Sequence, residues 1–134
     1  MKSLRCLLCL AVLTVLCTGV FPASAQDTTE RMELRRTDLA GAPGMEVVLS
    51  ITELKPGDVV SAHFHHGVET GYVLAGGMVK AAGKPAIAFK TGETLMNLRG
   101  DVHGGFTVVG DKTIKLLTFH VVDKGKPLYD SIKQ

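Results

Sequence analysis

His63 and His65 stand one residue apart in the run Ser61-Ala62-His63-Phe64-His65, and Glu69 follows four residues after the second of them. On an extended strand alternate side chains share a face, so the two imidazoles project together and can share one ion. Gly67-Val68 lets the backbone bend before Glu69, which brings a carboxylate to the pair. A third imidazole has to come from elsewhere, and His103 is the best candidate: it follows the turn Gly100-Asp101 and opens the run Phe106-Thr107-Val108-Val109. Neutral imidazoles with one carboxylate form a mixed nitrogen and oxygen shell suited to one divalent transition metal, iron (Fe), manganese (Mn), nickel (Ni), copper (Cu) or zinc (Zn), and unsuited to calcium or magnesium. If that ion is six-coordinate, these ligands leave two positions open for water, dioxygen or a bidentate substrate.

Other chemistries find little support. All the cysteines, Cys6, Cys9 and Cys17, fall in an N-terminal stretch with the marks of an export leader: basic Lys2 and Arg5, an apolar run from Leu7 to Val20, and a small-x-small site at Ala23-Ser24-Ala25. Residues 1–25 are therefore expected to be a removed signal peptide, and residues 26–134 a single domain that is periplasmic or secreted. The mature chain then has no thiolate ligand and no disulfide. Losing Lys2 and Arg5 leaves acidic and basic residues equal in number, with no basic stripe for nucleic acid and no amphipathic helix for a membrane. Glu46, Glu53 and Glu93 show no paired spacing for acid and base work, and neither a nucleophilic triad nor a phosphate-binding glycine loop is present.

The positions around the histidines resemble the cupin superfamily. Gly57, His63, His65, Glu69 and Gly76 fill every fixed place of its first motif. Gly92, Gly100 and His103 match the second, where Leu98 stands for a proline and Thr107 for an asparagine. The resemblance implies a double-stranded β-helix, a conical jelly-roll barrel, with His63, His65, Glu69 and His103 as metal ligands. It also makes a metal-dependent enzyme acting on a small organic molecule the leading expectation. Dioxygenase-like chemistry, as in quercetinase-like cupins, is the most populous choice, ahead of isomerase or lyase chemistry, with Glu69 the residue to detach or take up a proton. The alternative is a non-catalytic cupin that binds or senses a small ligand or metal chelate. Cupins commonly dimerise, and Val121 to Leu128 is the candidate contact for a homodimer.

The elements that must position these residues are strands. Turn signals recur every eight to twelve residues, from Gly41-Ala42-Pro43-Gly44 to Lys124-Gly125-Lys126-Pro127, and no helical period appears after the leader, so the fold class is all-β. Val47, Leu49 and Ile51 alternate with Val48, Ser50 and Thr52, and Ile114 to Val122 forms the last long strand. Glycine turns before His-bearing strands near Gly57 and Gly100 suggest two similar hairpin pairs. Gln26 to Glu30 and Asp130 to Gln134 read as loose ends. His66, on the opposite parity to the pair, is expected at the rim; Tyr72 is expected to pack on the outer side; Arg99 is read as a solvated turn residue, the alternative being a reach toward an anionic substrate at the barrel mouth, and His120 as structural. Ser61, Gly71, Val73, Gly105 and Thr107 share the ligands' parity and are the expected pocket lining.

Overall fold

The computed structural model describes residues 29–132, so the expected leader and its cleavage site lie outside the described residues. The recurrent turns separate eleven strands, with no helix among the described residues. They are β1 (Glu30–Asp38), β2 (Met45–Leu54), β3 (Val59–Val60), β4 (His63–Phe64), β5 (Gly67–Ala75), β6 (Gly77–Ala81), β7 (Ile87–Phe89), β8 (Thr94–Asn97), β9 (Phe106–Val109), β10 (Ile114–Asp123) and β11 (Asp130–Ser131).

Five strands form one sheet in the order β1-β2-β10-β5-β8, and four form a second, β3-β9-β6-β7, with β4 and β11 paired separately. Every pairing is antiparallel. Leu54, Val73, Ile114 and Leu116 of the first sheet meet Val60, Val79 and Val108 of the second in one apolar core. In the absence of tryptophan, aliphatic residues supply most of this packing, with Phe89 and Phe106 at its edge. A two-sheet barrel lets such residues bury themselves from both sides.

The alternation along β2 is as the sequence suggests, and the side it buries is the more polar one. Glu46, Val48, Ser50, Thr52 and Leu54 point inward, whereas Val47, Leu49 and Ile51 are half-buried on the outer face. Its neighbour β10 repeats the pattern, burying Leu116, Thr118, His120 and Val122. Buried hydroxyls require partners, and Ser50 Oγ meets Thr118 Oγ1 at 2.9 Å across the two strands. The outer rows run in register through Ile51, Leu117 and Tyr72, and through Leu49 and Phe119.

Gly67 is where β5 starts beside β10. A Cβ there would collide with the Val121 carbonyl, so only glycine allows the two backbones to lie this close. Asp130 to Ile132, expected in a loose end, are instead held in place. Asp130 and Ser131 pair with Phe64 and His63, and Ile132 donates its N–H to the Ala62 carbonyl at 2.9 Å. Those backbone bonds fasten the segment over β4. Glu30, expected in a loose start, already belongs to β1, whose pairing with β2 begins there.

Candidate metal centre

His63 and His65 keep the expected strand parity: both are buried, while Phe64 and His66 are only half-buried on the other side. Glu69 lies on the inward side of β5, in line with Gly67, Gly71 and Val73. His103 reaches the pair through its backbone, exchanging N–H to carbonyl bonds of 2.9 Å with His63 in both directions. Gly104 permits that approach: its φ is +81°, and a Cβ would sit 2.6 Å from the Ser61 carbonyl and 3.2 Å from His63 Nδ1. The two glycine-turn segments noted in the sequence thus meet at the histidines.

The rings are aimed by their outer nitrogens. Nδ1 of His63 lies 2.7 Å from the Ser61 carbonyl, Nδ1 of His65 2.7 Å from the Leu128 carbonyl, and Nδ1 of His103 2.9 Å from the Asp101 carbonyl. A carbonyl only accepts, so each Nδ1 carries hydrogen and each neutral ring turns a bare Nε2 toward the centre. There, His65 Nε2 and His103 Nε2 are 3.1 Å apart. Glu69 Oε2 lies 3.3 Å from the first and 3.2 Å from the second. His63 completes a set in which the imidazole donor atoms lie within 4.8 Å of one another.

The charge state follows from this crowding. Burial alone would raise the Glu69 carboxyl, but the close imidazoles of His103, His120 and His65 outweigh it and hold the group far below the usual carboxylate range. Burial pushes His63 down, only partly opposed by its bond to Ser61. Burial also works against a charged His103, but its contacts with Glu69 and the Asp101 carbonyl raise it on balance. With the rings neutral, their lone pairs and the anionic oxygen repel across about 3 Å unless a proton or a metal ion lies among them; a proton there is what lowers Glu69 and raises His103. Imidazole nitrogen and carboxylate oxygen are the donors that transition ions prefer, so the residues present fit such an ion.

Two further residues belong to this cluster that the sequence reading did not place there. Asn97, opposite Glu69 on β8, donates from Nδ2 to Glu69 Oε2 at 2.7 Å. An amide thus reaches the carboxylate although Thr107 occupies the position of the motif's asparagine. His120, expected to be merely structural, lies opposite Glu69 on β10 with its Nε2 3.2 Å from Glu69 Oε1. It is fully buried, and its ring centre is 4.8 Å from that of His65. Its signal in the sequence was its parity with Leu116 and Thr118; the register that sets it against Glu69 could not be read locally. Burial lowers its basicity.

The remaining candidates fall outside the cluster. His66 Nε2 pairs with Asp130 Oδ2 at 2.7 Å near the rim, and Tyr72 is 46% exposed on the outer face, as their parities imply. Arg99 makes a two-pronged pair with Asp123 at 2.8 and 2.9 Å instead of reaching toward the ligands.

A cavity of about 170 Å³ adjoins the cluster, with His63, Glu69 and His103 on its wall. Ser61, Gly71, Val73, Gly105 and Thr107 do not line it. Strand parity tells which side of a sheet a residue takes, but not which stretch of the barrel is open. The lining comes instead from Leu54, Val60, Phe89, Leu95, Phe106 and Leu116, with Thr52, Thr118, Asn97 and Arg31 as polar points. Arg31 lies 5.2 Å above the Tyr129 ring, which in turn packs 4.9 Å from that of His63.

No family model and no curated protein matches the sequence. Solved structures do match in shape. A protein with a double-stranded β-helix domain from Klebsiella pneumoniae is 15% identical with a TM-score of 0.59, covering 79% of this chain and 85% of its own. The polyketide cyclase RemF from Streptomyces resistomycificus is 22% identical with a TM-score of 0.57, covering 79% and 72%. A cupin-2 domain protein from Rhodospirillum rubrum is 14% identical with a TM-score of 0.55, covering 83% and 70%. Strand order, two-sheet core and these likenesses agree: the chain has the double-stranded β-helix fold of the cupin proteins.

Proposed function

We propose that this chain is an exported, metal-dependent enzyme acting on a small organic molecule, with the ion held by His63, His65, Glu69 and His103. The observation that carries the reading is the convergence of acceptor atoms: bare Nε2 atoms of His65 and His103 at 3.1 Å, with a carboxylate oxygen beside both. The basic start and apolar run of residues 1–25 support export. When bound, the ion would supply Lewis acidity, polarising an oxygen of the substrate.

The chain's own residues supply the rest. Leu54, Leu95, Phe106 and Leu116 exclude water from the apolar side of the cavity and favour a compact, weakly polar molecule. Thr52, Thr118 and Arg31 offer the few hydrogen bonds that could orient it. Glu69 is both in the cluster and on the cavity wall, with Asn97 holding its Oε2. A carboxylate held this low is a weak base while imidazoles surround it. Taking a proton at Oε2 would therefore accompany its withdrawal from His65 and His103. The fold is shared with a polyketide cyclase, which supports adding cyclisation to isomerisation, elimination and dioxygenation as reactions to screen.

The test is elemental analysis of the purified chain together with His63→Ala and Glu69→Gln. A stoichiometric transition metal that disappears in His63→Ala is expected. Glu69→Gln should lose turnover on a substrate found by screening; unchanged turnover would remove Glu69 from the mechanism, and a metal-free wild type would sink the reading.

A further inference from the structure

We propose that His120 is an additional ligand of the same ion, which limits the substrate to a single donor atom. The inference rests on the metal reading above and starts from an anomaly that reading leaves unexplained. His120 has no exposure, and neither of its ring nitrogens has a partner in hydrogen-bond geometry. A buried polar ring without partners is costly, and an apolar side chain at the same place would avoid the cost. Each of the other cluster histidines has its Nδ1 tied to a backbone carbonyl; His120 has no such anchor, and the polar group beside it, Glu69 Oε1, itself belongs to the cluster.

Register directs it to the cluster. His120 lies opposite Glu69, and the carboxylate divides between two sides, Oε1 at 3.2 Å from His120 Nε2 and Oε2 at 3.2 and 3.3 Å from His103 and His65. The donor atoms of His65, Glu69 and His120 lie within 4.8 Å of one another, and His65 is common to this set and to the set with His63 and His103. The two sets share His65, and Glu69 spans them, with Oε2 beside His65 and His103 and Oε1 beside His120.

The cluster has two layers. His65 and His120 are entirely buried, whereas His63, Glu69 and His103 border the cavity. Four protein donors would leave a six-coordinate ion two positions; adding His120 leaves one. A substrate would then bind through one oxygen, such as an alkoxide, enolate or carboxylate oxygen, and would have no second position through which to chelate the ion or share it with dioxygen. That favours polarisation chemistry over dioxygenation at this site.

The experiment uses the full chain stripped of metal and titrated with cobalt(II), whose visible absorption reports its ligands. His120→Phe fills the space without a donor nitrogen, and His63→Ala serves as the comparison. Cobalt affinity in His120→Phe is expected to fall at least tenfold, with an altered spectrum, while the metal-free variant melts no lower than the metal-free wild type. In His120→Ala, added imidazole should restore both affinity and spectrum, which also keeps the test open if the phenylalanine variant fails to fold. Wild-type affinity and an unchanged spectrum in a folded His120 variant, with binding lost in His63→Ala, would overturn this proposal alone. A wild-type chain that takes up no cobalt would overturn it together with the metal reading.

Discussion

The two faces of the five-stranded sheet are composed the opposite way round from a simple barrel. Its inner face carries Glu46, Ser50, Thr52, Glu69, Thr118 and His120, all buried, beside the aliphatic core at one end. Its outer face carries Val47, Leu49, Ile51, Leu117 and Phe119. Burying polar groups costs stability unless each is paired. The inner face meets that demand by pairing Ser50 with Thr118 across strands, setting Glu46 against Arg36, and gathering Glu69 and His120 with the other histidines. The lesson is that inward polarity here marks the site, and outward apolarity says little about the core.

The largest effect is expected at the aliphatic end of the inner face. Ile114→Ala, at a position with no exposure, is expected to cost about 3 kcal/mol in urea denaturation of the metal-free chain; a loss below 1 kcal/mol would mean that the apolar core lies elsewhere. Ser50→Ala comes next. Removing one hydroxyl of the Ser50–Thr118 pair should cost about 1–2 kcal/mol, leaving Thr118 with only a long contact to the Ser50 carbonyl.

Acidity probes the ionisable part of the same face. His63 and His120 have folded values below the ordinary imidazole value of about 6.5. Below that pH the unfolded chain therefore binds protons the folded chain refuses, and stability falls. His103, raised, acts in the opposite direction, and Glu69 adds a further loss as the pH enters the ordinary carboxylate range. The metal-free chain should melt at a lower temperature at pH 5 than at pH 7, with a shallower dependence in His120→Phe; an equal slope in both would detach His120 from this behaviour. The smallest effect is expected outside. Phe119→Ser, at a residue 41% exposed on the outer face, should cost under about 1 kcal/mol and leave cobalt binding untouched.

Much of this was legible locally. The one-residue spacing of His63 and His65, the glycines around them and the parity of Tyr72 and His66 depend only on strand geometry, and the structure keeps all of them. Turn spacing likewise foretold β9 and β10. What escaped was set by register between distant strands. His120 and Asn97 face Glu69 only because β10 and β8 flank β5. The cavity lining was misassigned for a related reason, since parity cannot say which rows are left open between the sheets. Nor could the alternation of β2 reveal its inward side, because the more apolar set faces out.

The strap from Leu128 to Ile132 sets an order of events in the life of the molecule. The Leu128 carbonyl aims His65, and Asp130 to Ile132 lie over β4. The ribosome makes those residues some sixty positions after the histidine they orient. The pocket is therefore unfinished while the chain is still emerging, and a chain threaded unfolded through an export channel would carry no assembled centre with it. On the proposed export and metal binding, the ion would be acquired at the destination, from whatever supply that compartment holds.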